Sequence, residues 1–200
     1  MASSADAPGV VLARNLRASI AAQQALLDDE ALTRAFDAAA YALVCCYRAG
    51  GRLYIAGNGG SAADAQHLAA EFVSKLARER PPLPAEALTT DSSILTAIGN
   101  DYGFDEVFAR QLTAKARRGD MFLGITTSGE SANIVRALQQ CQRIGVVSIV
   151  FSGRGGGRAR DHATHCIAVP GSATSTIQEQ HIVLAHSLCE CVESALFDAV

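Results

Sequence analysis

Residues 52–61 have the sequence RLYIAGNGGS, in which a short apolar run stops at a cluster of glycines. Such a run predicts a β-strand, and the glycines and serine after it predict a tight turn into a helix. A second junction of this kind follows at residues 122–131, FLGITTSGES. Because the strands are apolar throughout and alternate with helices, the two junctions predict an α/β fold with a parallel sheet covered by helices on both faces.

Outward from these junctions, further apolar runs between turn signals complete a predicted sheet of five strands. The strands are predicted at about residues 52–56, 87–90, 120–125, 146–151 and 166–169. The glycines of Gly153–Gly157 predict a mobile loop after the fourth strand. Ligands of such sheets bind beyond the C-terminal ends of the strands, where both glycine- and serine-rich junctions lie.

The pattern along the chain is that of one domain over residues 1–200. This length is enough for a substantial hydrophobic core, and no internal linker or repeat interrupts the pattern. A helical segment at about residues 10–50 precedes the sheet core at about residues 52–170, and one long helix at about residues 174–197 closes the chain.

The composition excludes several classes of protein. Hydrophobic residues make up 49% of the chain and charged residues 18%, the net charge is −3, and no dense run of lysine and arginine occurs. A nucleic-acid-binding surface is therefore not expected. No apolar stretch reaches the roughly 18 residues of a membrane-spanning helix, and residues 1–8 lack the features of a secretory signal. We expect a cytoplasmic protein.

The six cysteines form no CxxC pair, and they fall in apolar segments. Buried free thiols in a reducing compartment are the expected interpretation, with a zinc–thiolate site or a disulfide framework as the alternatives. The cysteines are Cys45, Cys46, Cys141, Cys166, Cys189 and Cys191.

The junction at residues 126–131 has the chemistry of a phosphate-binding loop. A helix N-terminus presents unpaired N–H groups and a partial positive charge, and Gly129 allows close approach of a ligand. The loop adds four hydroxyl donors, at Thr126, Thr127, Ser128 and Ser131. An ordinary N-cap is the alternative, but a second glycine loop at residues 58–61 favours phosphate binding. The GxxxxGK[ST] pattern of a Walker loop is absent.

His67 and Glu71 stand four residues apart on the helix predicted after the first loop, so they share one face. Gln178 and His186 lie on the closing helix, about 12 Å apart along its axis. These two reach one metal ion only with extended, converging side chains, unless one serves a neighbouring subunit. Nitrogen and oxygen donors of this kind suit zinc. A surface His/Glu pair and a satisfied buried histidine are the alternatives.

These motifs together resemble the sugar isomerase (SIS) family and, within it, the bacterial phosphoheptose isomerases. The similarity covers about residues 10–197 and is specific as a combination, although the TSGxS part alone is shared by the whole superfamily. The matching stretches are residues 56–67 (AGNGGSAADAQH), 71–74 (EFVS), 87–91 (ALTTD), 95–103 (LTAIGNDYG), 127–133 (TSGESAN) and 177–181 (IQEQH) with His186.

The resemblance implies a single SIS domain, with N-terminal helices and a five-stranded parallel sheet. It also implies an aldose–ketose isomerase that converts sedoheptulose 7-phosphate into D-glycero-D-manno-heptose 7-phosphate through an enediol. This is the first step of ADP- or GDP-heptose biosynthesis for lipopolysaccharide or capsule. Such enzymes are homotetramers with active sites at subunit interfaces, which suits the distance between Gln178 and His186.

The resemblance further implies roles for individual residues. Glu71 and His186 are expected to form the acid–base pair. One zinc ion per subunit is expected to bind His67, Glu71, Gln178 and His186. The substrate is expected to contact Asn58, Gly59, Gly60, Ser61, Glu71, Asn100, Asp101, Thr126, Thr127, Ser128, Ser131 and Gln178.

The sequence departs from the family pattern at three positions. Thr126 replaces a common serine, Lys75 replaces a common arginine and so loses its bidentate fork, and Ser175 stands where some members have aspartate.

Two other functions remain open. One is a different SIS chemistry, such as ketohexose phosphate isomerisation or amino-sugar phosphate lysis. The other is a non-catalytic SIS protein that binds a replication initiator or senses sugar phosphates, although the presence of both Glu71 and His186 favours an enzyme.

Overall fold

The computed structural model describes residues 7–198. Most of the stretch on which the prediction about a secretory signal rests therefore lies outside the described residues. The five strands are parallel and form one sheet in the order β2-β1-β3-β4-β5, which confirms the predicted fold class. The strands are β1 (Leu53–Gly57), β2 (Ala85–Ala87), β3 (Met121–Thr126), β4 (Val147–Ser152) and β5 (His165–Ala168).

The helices also follow the predicted order. Two helices precede the sheet, and a helix of 24 residues closes the described chain. Short 3-10 segments lie at Phe104–Glu106 and Arg154–Asp161. The α-helices are α1 (Pro8–Leu27), α2 (Glu30–Arg48), α3 (Gly60–Val73), α4 (Ser92–Tyr102), α5 (Val107–Lys115), α6 (Ala132–Ile144) and α7 (Thr174–Phe197).

The sheet has a hydrophobic core on each face, because successive side chains of a strand point to opposite sides. Leu53 and Ile55 of β1 pack with buried residues of α2, α3 and α7. Tyr54 and Ala56 of the same strand pack with buried residues of α5 and α6 on the other face. Helices α3 and α7 are therefore neighbours on one face of the sheet.

Helices α3 and α7 also run in the same direction. The side chain of Gln178 packs on Gly60 near the start of both helices. Further along both helices, the rings of His67 and His186 meet with their centroids 5.4 Å apart. The two helices therefore contact each other twice. Gly60 meets Gln178 first, and His67 meets His186 about two turns further along.

The second strand is shorter and earlier than predicted. It covers Ala85–Ala87, whereas the sequence predicted residues 87–90. The hydroxyl of Thr90 donates to the carbonyl of Ala87 at 3.2 Å, and the hydroxyl of Thr89 donates to the carbonyl of Ala62 at 3.4 Å. These local bonds compete with strand pairing, so the chain turns where an extended strand was expected.

The glycine-rich segment after β4, which was predicted to be a mobile loop, packs closely on a neighbouring segment. It forms 3-10 turns over Arg154–Asp161 that pack on the loop after β3. The N–H of Ala159 donates to the carbonyl of Gly129 at 2.9 Å, and a β-carbon on Gly129 would lie 2.1 Å from the carbonyl oxygen of Gly156. The glycines are therefore needed for close contact between two backbone segments.

The prediction that all six cysteines are buried was wrong for two of them. Cys46, Cys141 and Cys189 are buried and Cys166 is half-buried, but Cys45 and Cys191 are exposed. An apolar helix still buries only one stripe of its surface, and these two cysteines lie outside the stripes of α2 and α7. All six are free thiols.

Within residues 7–198, no helix has the length and hydropathy required to span a membrane.

Candidate active site

The two glycine- and serine-rich loops lie side by side at the C-terminal edge of the sheet. Strands β1 and β3 are adjacent, with Gly57 paired with Ile125. From β1 the chain continues to β2 on one side, whereas β3 is followed by β4 and β5 on the other. This is the topological switch point of a parallel sheet, which is where such proteins bind ligands.

The loop at residues 126–131 is shaped by its own hydroxyl groups. The buried Thr126 Oγ1 and Ser131 Oγ are hydrogen-bonded at 3.0 Å, and the N–H of Glu130 donates to Ser128 Oγ at 3.1 Å. Ser131 is the N-cap residue of α6, but its side chain does not cap the helix. The N-terminal N–H groups of α6 thus remain available to an anion.

A pair of asparagines connects the two loops. Asn58 Nδ2 donates to Asn133 Oδ1, and Asn133 Nδ2 donates back to Asn58 Oδ1, both at 2.9 Å. Asn133, 2% exposed, was quoted in the sequence motif but was given no role. A buried amide needs hydrogen-bonding partners, and this pairing engages the Asn58 amide that was expected to contact the substrate.

Glu71 stands between two histidines at the other end of α3. His67 Nε2 is 2.8 Å from Glu71 Oε1, and His186 Nε2 is 3.4 Å from the same oxygen. The Glu71 side chain is 13% exposed, against 53% for His67 and 43% for His186. Its second oxygen, Oε2, is buried and forms no hydrogen bond within the described part of the chain. A carboxylate held in this way needs a cation or a proton donor.

The three ligand atoms match one face of a tetrahedral zinc site. The two histidine Nε2 atoms are 3.2 Å apart, and each lies at the distance given above from the Glu71 oxygen. Zinc bonds of about 2.0–2.1 Å at tetrahedral angles separate neighbouring ligand atoms by roughly 3.3 Å. The donor set therefore fits zinc and leaves a fourth position for another ligand.

Gln178 packs at the glycine-loop end of α3. A β-carbon on Gly60 would lie 2.5 Å from Gln178 Nε2. Gly60 precedes His67 by seven residues, which is a rise of about 10 Å along the helix. The structure therefore brings His67, Glu71 and His186 together, while a role for Gln178 as the fourth ligand stays a prediction.

Two other titratable side chains, those of Asp64 and His181, have buried polar atoms without hydrogen bonds in the described chain, and neither was assigned a role from the sequence. Asp64, one turn before His67, has a buried Oδ2 without a hydrogen bond in the described chain. Burial raises the pKa of Asp64, while the nearby His67 lowers it. His181 on α7 is 1% exposed and packs on the ring of Phe151. Burial lowers the pKa of His181 to about 4.

Comparison with known proteins identifies the family. The SIS domain profile matches residues 18–153. A phosphoheptose isomerase of Aneurinibacillus thermoaerophilus is 49% identical over 183 residues, which cover 92% of each chain. The structure of a phosphoheptose isomerase from Neisseria gonorrhoeae superposes with a TM-score of 0.85 at 41% identity, over 92% of this chain and 97% of that one. The chain belongs to the SIS-domain family and, within it, to the phosphoheptose isomerases.

Four other positions that the resemblance to the phosphoheptose isomerases singled out are exposed in the described chain. Asn100 and Asp101 are exposed on α4, and Asn100 Nδ2 donates to Asp101 Oδ1 at 2.7 Å. Lys75 pairs with Glu79 beyond the end of α3. Ser175 is exposed in the first turn of α7. Contact of Asn100 and Asp101 with substrate stays a prediction.

Proposed function

We propose that the protein isomerises sedoheptulose 7-phosphate to D-glycero-D-manno-heptose 7-phosphate, in the cytoplasm, as the first step of nucleotide-activated heptose biosynthesis. The observation that carries this proposal is the cluster of His67, Glu71 and His186, in which one carboxylate oxygen faces two imidazole nitrogens. The name shared by relatives that cover nearly the whole chain supports the same activity. The glycine loop opens α3 and His67 lies about 10 Å further along the same helix, so the loops and the cluster suit the two ends of a phosphorylated sugar.

The phosphate end is assigned to the loop at residues 126–131 and to the glycine loop at residues 58–61. Hydroxyl groups and free N–H groups at the N-terminus of α6 donate to the phosphate oxygens. These donors hold the substrate equally before and during the reaction, so they act on binding. We also propose that the substrate contacts the residues that the family resemblance implies, which are Asn58, Gly59, Gly60, Ser61, Glu71, Asn100, Asp101, Thr126, Thr127, Ser128, Ser131 and Gln178.

The reacting end is assigned to Glu71 and His186. Glu71 takes the proton from C1 of the ketose, which gives an enediol, and His186 supplies a proton to C2. The proton of the C1 hydroxyl passes to the former C2 carbonyl oxygen, so C1 becomes the aldehyde and C2 carries a hydroxyl, and the proton taken up by Glu71 replaces the one that His186 supplied. Atoms balance without an outside reactant, and the two residues exchange roles in the reverse direction.

His67, Glu71 and His186 would hold a zinc ion, one per subunit, with Gln178 as the proposed fourth ligand. When bound, zinc supplies Lewis-acid polarisation of an oxygen of the sugar. The fit of the three ligand atoms to a tetrahedral face supports this assignment. The imidazoles also orient the Glu71 carboxylate directly, because both nitrogens lie within hydrogen-bonding or near contact distance of it.

We further propose a homotetramer. Helix α1 has no buried residue in the described chain, although it is 20 residues long. An apolar surface of this extent is typical of an interface between subunits. Its exposed large apolar side chains are Val10, Leu12, Leu16, Ile20 and Leu27, at 48% to 76% exposure. Light scattering coupled to size exclusion tests this assignment, and a monomeric mass would contradict it.

Incubation with sedoheptulose 7-phosphate, followed by NMR, tests the proposed reaction. We expect aldoheptose 7-phosphate signals to appear, to stop after treatment with a chelator, and to return with added zinc. If product forms at an unchanged rate after complete zinc removal, the proposed isomerase activity is supported and the proposed role of zinc is rejected. Absence of product with zinc restored would reject the proposed reaction, and fructose 6-phosphate and N-acetylmuramic acid 6-phosphate would then test the other SIS chemistries.

A further inference from the structure

We propose that Arg80 and Glu193 are positioning residues for the active site, whose buried ion pair holds α3 and α7 in the register that places Glu71 against His186. The inference rests on the proposed roles of Glu71 and His186. Arg80 lies in the proline-rich segment after α3, and Glu193 lies in the second half of α7. Neither belongs to the cluster that faces the substrate.

The ion pair is enclosed and saturated with hydrogen bonds. Arg80 Nε donates to Glu193 Oε1 at 2.9 Å, and both side chains are 1% exposed. Glu193 also accepts from the N–H groups of Leu76 at 3.0 Å and Ala77 at 3.4 Å. Burial acts to raise the pKa of Glu193, but these bonds outweigh it and lower the pKa overall. The carboxylate is therefore charged at neutral pH.

Arg80 binds the end of α3 at the residue that carries the proposed catalytic carboxylate. Its Nη2 donates to the backbone carbonyl of Glu71 at 2.8 Å, and its Nη1 donates to that of Phe72 at 2.7 Å. The last carbonyls of a helix lack partners within the helix, and a cation there complements the helix dipole. Helix α3 has no basic residue in its own last turn, so Arg80 supplies this charge from outside.

Glu193 stands on the face of α7 that carries His186. It follows His186 by seven residues, nearly two turns, or about 10 Å along the axis. The ion pair therefore connects α3 and α7 just beyond the acid–base cluster, while Gln178 on Gly60 connects them before it. The cluster lies between the packing of Gln178 on Gly60 and the ion pair of Arg80 with Glu193. The distance from Glu71 to His186 therefore depends on both contacts.

A double variant separates positioning from folding. Removal of Arg80 alone leaves a buried, unpaired carboxylate, which destabilises the fold for a different reason. Arg80→Met with Glu193→Leu replaces both charged groups by apolar side chains of similar length. The matched control is Lys115→Met with Glu86→Leu, which removes an ion pair of 2.5 Å that joins α5 and β2 and involves neither α3 nor α7.

Two readouts are measured on each purified protein. The first is the dissociation constant for zinc alone, from competition with a chromophoric chelator. The second is kcat and KM for sedoheptulose 7-phosphate in the zinc-loaded enzyme. For the double variant we expect zinc to bind about tenfold more weakly and kcat to fall by about 10- to 100-fold with KM within about threefold. The control pair changes neither readout.

The proposal is overturned if the folded double variant keeps both kcat and zinc affinity within twofold of the wild type, even if its melting temperature falls. If the double variant does not fold, Arg80→Lys decides, because it keeps the charge and loses the fork. Arg80→Lys must then weaken zinc binding and lower kcat. If the zinc dissociation constant and kcat are both unchanged in Arg80→Lys, the proposal is rejected. Zinc affinity also remains decisive if the wild type fails to convert sedoheptulose 7-phosphate, so the proposed reaction and the positioning role fail separately.

Discussion

The proposed phosphate end of the site is built from one short segment, whereas the proposed acid–base end depends on residues far apart in the chain. Residues 126–131 join β3 directly to α6, and their hydroxyl groups bond to one another. His67 and His186, by contrast, are separated by 119 positions and meet because α3 and α7 pack side by side. The first region is defined by local geometry, and the second is defined by helix packing.

This difference separates the ways in which the two regions can fail. The proposed phosphate loop offers several hydroxyl and N–H donors, so a single substitution there should weaken binding without abolishing it. Glu71 and the two histidines act as a unit, because each contacts the other two. Damage to one of them, or to the packing of α7, should therefore abolish turnover while the phosphate loop remains intact.

The largest expected effect breaks the acid–base end alone. Glu71→Gln and His186→Asn should each lower kcat by about 10³-fold, because each removes a proton-transferring group. The dissociation constant for sedoheptulose 7-phosphate, from calorimetry, should rise by no more than about tenfold, the contribution of one hydrogen bond, since the phosphate loop is untouched. NMR assays of turnover measure the first quantity.

The matched control for these variants is Glu190→Gln, an exposed carboxylate on α7. It should leave kcat and substrate affinity unchanged. If Glu71→Gln lost substrate affinity as strongly as turnover, the two ends of the site would not be independent. If both active-site variants kept wild-type turnover, the assignment of the acid–base pair would be rejected.

The second effect concerns the anchoring of α7 on the sheet by His181. This ring is buried against Phe151, and burial lowers its pKa to about 4 from an ordinary value of 6.5. Between these two pH values the unfolded chain binds a proton at His181 and the folded protein does not. Stability is therefore lost as the pH falls through this window, by about 2 kcal/mol per protomer between pH 7.5 and pH 5.

Urea unfolding at pH 7.5 and pH 5 measures this loss. His181→Gln should show a decline in unfolding free energy that is smaller than the wild-type decline by about the same 2 kcal/mol. The control is His162→Gln, at a half-buried ring that bonds to Gln139 away from α7. An identical decline in wild type and His181→Gln would show that His181 does not stay neutral in the fold.

The same comparison explains which parts could be predicted from sequence. The two strand-to-helix junctions follow from residue type and hydrophobic pattern, and both lie where the sequence predicted them. Phosphate binding at these junctions stays a prediction. The pair of His67 and Glu71 follows from a four-residue spacing on one helix. Their meeting with His186 came from family resemblance, because helix periodicity alone does not say which helices pack together.

Arg80 and Glu193 could not be predicted for a related reason. Arg80 opens the proline-rich stretch RPPLP, which indicates only the end of a helix, and arginine and glutamate are normally exposed. Their burial depends on a contact across 113 positions. The packing of Gly153–Gly157 could not be predicted for the same reason, since glycine permits both flexibility and close packing, and the contact with Gly129 is visible only in the structure.

A smaller effect breaks the phosphate end alone. Ser128→Ala removes one hydroxyl of the loop and should raise KM by about tenfold with kcat nearly unchanged, because a hydrogen bond to a charged group contributes about 1.5 kcal/mol. Ser187→Ala on α7, whose hydroxyl bonds only to its own helix at the carbonyl of Val183, is the control. A fall in kcat at constant KM would instead place Ser128 in the chemical step.

The smallest effect tests Gln178, the residue between the two regions. A β-carbon at Gly60 would meet Gln178 Nε2 at 2.5 Å, so Gly60→Ala must displace this flexible amide. We expect kcat/KM to fall by less than about tenfold. Gly9→Ala is the control, because within the described residues the added carbon at the start of α1 meets nothing within 4 Å beyond its chain neighbours and its own helix backbone, and it should leave kcat/KM unchanged.

If Gly60→Ala also weakens zinc binding, Gln178 acts with the acid–base end. If zinc affinity is unchanged and only KM rises, Gln178 acts with the phosphate end, and the fourth metal position belongs to another ligand. An unchanged kcat/KM would exclude Gln178 from both.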